Sequence, residues 1–314
     1  MLGRLVYRNM NAGASGRAFG NICRDLSIVN GKNYEHTTRD GHVKGYFVNY
    51  TVIAADSQVL NIHTAMNSWH MRNSFRKFHA YRHMMFENAG VTKGELGRYG
   101  HTIRPYLNNN HRLEEESSGD IFTVGLGDDG SPATGGEWTY TKMSSTPLYT
   151  AGSSAPQMKD SVLRVADDYP LLICGDNVAG TQEDETSGQF AAVAMINSYN
   201  LDRQDVITAT TDGETIQGPK NPLAALRSSG NQAAGEILEI TNDLEKEKPP
   251  YDLTDDGDST KTIVADFCKT PTTLGVVRGS MFVPAGLFEI FQSLNSGYIL
   301  ALDVIDEVLC KDVA

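Results

Sequence analysis

The sequence predicts a mainly β protein of antiparallel strands: a sandwich, a barrel or a jelly roll. Three observations carry this. Short runs rich in Val, Ile, Tyr and Phe recur along the chain, separated by Gly- and Asp-rich turns. Strands and helices do not alternate regularly, which argues against a doubly wound parallel sheet. The chain also closes on apolar strands, "FVPAGLFEIF" (Phe282 to Phe291) and "YILALDVID" (Tyr298 to Asp306), with no helical pattern to cover them. In a two-layer fold a facing sheet does that.

The elements follow in order. Residues 1–42 are rich in Gly, Asn and Arg with weak periodicity, and read as an irregular arm with a short helix near Arg17–Ser27. "HVKGYFVNYTVIAAD", His42 to Asp56, is a strand by its aromatic and β-branched content. From Asn67 to Gly90, Met71, Phe75, Phe78 and Met85 recur at helical spacing, with Arg82 filling the gap in that row. Asn67 or Ser68 can cap this helix and Gly90 can end it. "DIFTVGLG", "GEWTYTKMSS", "SVLRVADDYPLLICG", "QFAAVAMINSYN" and "DVITATTDGE" read as strands between acidic loops. "NPLAALRSSGNQAAGEILEITNDLEKEK" reads as one or two helices stopped by Pro249 and Pro250. "TIVADFCKT", "LGVVRGSMFVPAGLFEIF" and "YILALDVIDEVL" complete the strands, with Pro284 and Gly286 marking a bulge, a bend or an edge.

Composition bounds the function. With 314 residues, 40% hydrophobic and 21% charged, the chain can fill a sizeable core. No apolar run is long enough for a membrane-spanning helix, and the first residues lack the apolar block of a signal peptide, so synthesis in a reducing cytoplasm is expected. Cys23, Cys174, Cys268 and Cys310 are far apart and form no CxxC pair. They read as separate small hydrophobes, with one disulfide as the alternative. Net charge is −12 but uneven: residues 1–112 carry +9 and residues 113–314 carry −21. Two faces meeting different surroundings would produce this, as would chance clustering of solvated charge.

Few motifs point to chemistry. "GLGDDG", Gly125 to Gly130, matches GxGxxG, but no helix follows to bind pyrophosphate and two aspartates would repel it; a hairpin turn fits better. "HAYRH" sets His79 and His83 four residues apart, a zinc-binding spacing, yet Ala80 stands where a protease would need its glutamate. Packing, or a pH-sensitive contact, is the competing reading. The carboxylate-rich loops Thr181–Ser187 and Tyr251–Ser259 lack EF-hand spacing; calcium at a subunit contact is the functional reading and a solvated loop the plain one. No GxSxG and no defensible acid–base pair is present, so no catalytic residue, resident metal or other cofactor is expected.

The basic helix is the strongest lead. Residues 61–112 hold eight Lys and Arg against Glu87 and Glu95, with Trp69, Phe75, Phe78, Tyr81 and Phe86 interleaved. Arg72, Arg76, Lys77, Arg82, Arg98 and Arg104 are the candidate contacts, either to nucleic-acid phosphates and bases or to acidic loops of a neighbouring subunit.

The strand-rich body, the basic aromatic helix, the acidic "DLEKEKPPYD" and the closing "SMFVPAGLFEI…YILALDVID" together resemble the jelly-roll major capsid proteins of small tailless icosahedral single-stranded DNA viruses. The resemblance is a general pattern over roughly residues 40–310. It implies an arm over 1–42 and a jelly-roll body over 43–314 with insertions near 61–112 and 213–260, or two jelly rolls dividing near 150–168. It further implies a non-enzymatic protein that assembles with itself into a virion shell, beside encapsidated single-stranded DNA or an internal membrane, and other virion proteins. One departure matters: residues 1–40 carry scattered Arg4, Arg8, Arg17, Arg24, Lys32 and Arg39 but no basic run, which sits poorly with an arm that wraps the genome. A carbohydrate- or ligand-binding sandwich module and a hydrolase with a loop-borne site are the competing readings.

Overall fold

The computed structural model describes residues 1–10, 17–54, 58–88, 90–92, 94–118, 138–144, 168–176, 178–179, 190–204, 261–268, 275–293 and 297–313. Strands β1 (Gly3–Met10), β3 (Lys44–Ala54), β10 (Gly275–Pro284) and β12 (Tyr298–Leu309) form one antiparallel sheet in the order β1-β12-β3-β10. Strands β2 (Arg17–Asn21), β4 (Val59–Ala65), β9 (Lys261–Cys268) and β11 (Leu287–Gln292) form a second, in the order β2-β11-β4-β9. The chain is therefore mainly β with antiparallel sheets.

Alternation explains why the sheets face each other. In β3, Tyr46, Val48, Val52 and Ala54 are buried, while Phe47 and Asn49 between them face out. β12 buries Tyr298, Leu300, Leu302 and Val304 and exposes Ile299. These side chains share one core with Leu60 and Ile62 of β4 and Phe288 and Ile290 of β11. Each large aliphatic or Phe side chain contributes about 1.5–3 kcal/mol there relative to leaving it in water. The facing sheet covers the terminal strands, joined by Ile22, Cys23 and Leu26 from the helix that follows β2.

The expected irregular arm is corrected. Leu5 and Tyr7 of β1 are fully buried and alternate with outward Arg4 and Val6, and β1 pairs with β12 from Gly3↔Val304 onward. β2 pairs with β11, and the helix expected near Arg17–Ser27 begins only after it, as α1 (Ile22–Asn30), capped by the Asn21 side chain on the Arg24 amide. The Gly, Asn and Arg content hid a short alternation that pairing with a central strand makes sufficient.

Pro284 marks a bend. Ala285 (φ 55°) and Gly286 (φ 68°) both take the left-handed conformation, and the Gly286 amide donates to the Val283 carbonyl at 3.2 Å. This turn passes the chain from β10, an edge strand of the first sheet, to β11 in the second.

Everything between β4 and β9 is inserted. The insertion begins after Ala65, so residues 61–65 of the expected 61–112 segment belong to the body; the expected 213–260 segment lies outside the described residues, as does 150–167. It contains α2 (Trp69–Asn88), α3 (Asn109–Ser118), β5 (Lys142–Ser144), β6 (Asp168–Leu172), β7 (Val178–Ala179), β8 (Phe190–Ala194) and α4 (Met195–Gln204). Its small sheet, β5-β6-β8-β7, includes one parallel pair, β6 with β8. "QFAAVAMINSYN" is not one strand: it turns helical at Met195. Met71, Phe75 and Phe78 of α2 join Leu171, Val193 and Met195 in a second core, which also takes Phe19, Val43 and Leu287 from the body. Ser68 caps α2, its hydroxyl accepting from the Met71 amide. Gly90 (φ 76°) ends it, with the Gly90 and Val91 amides donating to the Glu87 and Phe86 carbonyls.

Candidate nucleic-acid and inter-subunit interface

The six sequence-selected cations divide by depth. Arg82 occupies the inward row of α2 after Met71, Phe75 and Phe78, and is buried; its guanidinium donates to the Thr102 carbonyl and to Thr141 Oγ1. Arg104 is buried as well. Its Nε and Nη2 donate to Glu35 Oε2 and Oε1 at 2.8 and 2.6 Å, and its plane lies 4.1 Å from the Trp138 ring centroid. Both are corrected from contact residues to internal braces, since a buried guanidinium already satisfied within the chain cannot reach a phosphate outside it. Lys77 is half-buried, donates to the Ser198 carbonyl of α4 and lies 5.6 Å from the Tyr81 ring centroid. Arg98 opens a 3-10 turn, Arg98–His101; its side chain lies outside the described part.

Arg72 and Arg76 remain at the surface, one turn apart on α2. Arg72 is half-buried and held by Asn67, donating to its carbonyl and to its Oδ1. Arg76 is exposed. They face the place where β3 begins and β12 ends. There the Leu309↔Lys44 pairing brings the 3-10 turn Cys310–Asp312 beside α2, and Asn67 Nδ2 donates to the Cys310 carbonyl. The result is a cleft lined by His42, Val43, Arg72, Asn73, Arg76 and Lys311, with a volume of about 100 Å³. Sequence reasoning missed His42 and Lys311, because only the β3–β12 pairing brings them to α2.

The histidine pair does not form a zinc face. His79 Nε2 lies 3.1 Å from the His101 carbonyl, and His83 Nε2 lies 3.4 Å from Glu87 on the next turn. Burial pushes the His79 imidazole down, opposed by that carbonyl. Among the described residues no group of three or more His, Cys, Asp or Glu could hold a metal ion, and both loops considered for calcium lie outside those residues.

One buried pair has the composition of a nucleophilic dyad: Cys23 Sγ lies 3.4 Å from His36 Nδ1. Its chemistry is the reverse. Burial pushes the thiol far up and lowers His36 to about 4, so both groups are neutral near pH 7. His36 Nδ1 also bonds the Ala285 carbonyl, which can only accept, so Nδ1 carries the proton. Cys174 and Cys310 are likewise free and buried, as expected of separate small hydrophobes; burial pushes Cys310 up to about 12.

No protein family, no curated protein and no solved structure matches this chain. Among the described residues no helix is long and apolar enough to cross a membrane.

Proposed function

We propose that the chain is a shell-forming structural protein, a viral capsid subunit whose body is a single jelly roll with residues 66–260 inserted in one connection. The observation that carries this is the nesting of the strand pairs. Counting only the eight strands of the two large sheets, first pairs with last (β1–β12), second with seventh (β2–β11), third with sixth (β3–β10) and fourth with fifth (β4–β9). A long antiparallel ribbon wrapped on itself gives this order, and β3–β12 and β4–β11 then close the two sheets. Capsid proteins, lectins and cupins all use that architecture, so the step from fold to shell is one of analogy.

A surface feature weights the analogy toward assembly. On the outer side of the first sheet, Ile53 lies between Val276 and Ile299 in one cross-strand row. Val276 is 51% and Ile299 37% exposed. A second copy of the chain is the occupant the shell reading assigns to this apolar row. The insertion adds lateral surface without altering the strand order of the body.

Negative-stain electron microscopy of purified, nuclease-treated protein tests the proposal. Closed particles are expected. Small discrete oligomers at every salt and pH would instead favour a binding module of the same architecture.

A further inference from the structure

We propose that the cleft between α2 and the end of β12 binds a backbone phosphate of single-stranded nucleic acid, with Trp69 and Tyr199 as the adjoining stacking surface. This deepens the reading of the basic helix as a contact face and does not require shell assembly. Cations from separate parts of the chain converge there, Arg72 and Arg76 from successive turns of α2 and Lys311 from the turn after β12, with the His42 imidazole beside them at the entry to β3. Among the described residues no carboxylate lines the cleft, and neither Arg76 nor Lys311 has a carboxylate partner. Gathering these charges near the positive end of α2 is unfavourable for the isolated chain, and an anion relieves it.

Size and direction select the anion. The cleft is small, about 100 Å³, a scale that suits a compact oxyanion group. Donors approach from several chain segments, which suits the tetrahedral oxygens of a phosphate better than the two in-plane oxygens of a carboxylate. Guanidinium forks match phosphate oxygens in pairs.

The neighbourhood selects nucleic acid over an acidic peptide. Asn73 lines the cleft and donates to the Tyr199 hydroxyl at 3.2 Å. Tyr199 meets Trp69 edge to face, with centroids 6.2 Å apart, the His70 ring is tilted against Trp69 at 3.8 Å, and Trp69 and Tyr199 are both half-buried residues. A cationic cleft beside partly exposed aromatic rings is the combination that single-strand binders use, charge tracking the backbone and rings stacking on bases.

The test measures binding of fluorescently labelled dT20 to full-length, dissociated subunits by anisotropy across a salt series. Arg76→Gln/Lys311→Gln is compared with Arg278→Gln/Lys32→Gln, which removes two exposed cations elsewhere. The cleft pair is expected to lose at least tenfold in affinity and to flatten the log K against log salt slope by about 0.7, the value for one phosphate contact on a single strand. The control pair is expected to change affinity less than twofold, and dT20 is expected to quench tryptophan fluorescence. Inorganic phosphate should compete weakly and a polyglutamate peptide should not. Equal losses in both pairs, no binding by the parent protein, polyglutamate competing as well as unlabelled dT20, or tight phosphate binding without dT20 binding would each overturn the assignment. Because subunits are used, an absence of shells would leave the result standing. Shells with unaltered dT20 binding in the cleft pair would overturn this inference alone.

Discussion

Arg104 and Glu35 form a buried two-point ion pair, 2.8 and 2.6 Å between guanidinium and carboxylate, that ties the insertion to the loop following α1. Thr102 donates to the same carboxylate, the Arg104 amide donates to Thr141 Oγ1, and Arg82 of α2 reaches both threonines. Body and insertion are therefore joined by charge as well as by apolar packing.

Removing one partner strands the other in a dry site. Arg104→Gln or Glu35→Gln should each cost about 3–5 kcal/mol of unfolding free energy. The paired change Glu35→Leu/Arg104→Met should recover much of that loss. Urea unfolding of the four proteins checks it; singles that behave like surface changes would show that the pair bears no such load.

Acid should destabilise the fold through two buried histidines. His111 Nδ1 accepts from the Leu107 amide at 3.0 Å, so its proton sits on Nε2, and a second proton would set two N–H groups against each other. Burial, reinforced by the Arg24 charge, lowers His111 to about 3, and burial lowers His36 to about 4. The unfolded chain protonates each near 6.5 and the native state does not. Their stabilisation is therefore complete above about pH 6.5 and is lost as pH falls toward 4, by about 1.4 kcal/mol per pH unit for each histidine. Asp25, pushed up by burial against the pull of Arg24 and Tyr7, acts in the opposite sense. Urea midpoints at pH 7, 6 and 5 should fall steadily, and His111→Gln should flatten the trend.

At the bend between the sheets, Ala285 holds φ 55° with no exposed surface. A β-branched side chain is strained there and has no room. Ala285→Val should cost at least about 2 kcal/mol, whereas Ala285→Gly should be near neutral, relieved strain offsetting a more flexible unfolded chain. Thermal melts of both variants decide it.

The outer row Val276–Ile53–Ile299 separates assembly from folding. Ile299→Asp should cost about 1–2 kcal/mol of monomer stability, from the poor strand preference of Asp and the lost apolar cover, should leave the subunit folded, and should abolish large particles. Normal particles from this variant would remove the row from the contact face.

Legibility in the sequence followed the range of the forces. Helix α2 was readable because its apolar spacing, its Ser68 cap and its Gly90 stop are all local. Even the burial of Arg82 was foreshadowed, since it fills the gap in the inward row; the inference from positive charge to surface contact was the error. β1 was not readable, because its alternation is brief and is completed by a partner at the other end of the chain. The break inside "QFAAVAMINSYN" escaped because a continuous apolar run suits a strand or a buried helix equally. Lys311 and His42 carried no local sign of a site, as strand register alone sets them beside Arg72 and Arg76.

Sedimentation velocity of the purified protein over a salt series tests the shell proposal most directly. A boundary many tens of times the 34.3 kDa chain mass, converting to subunits as salt rises, is expected. A single small species throughout would contradict it.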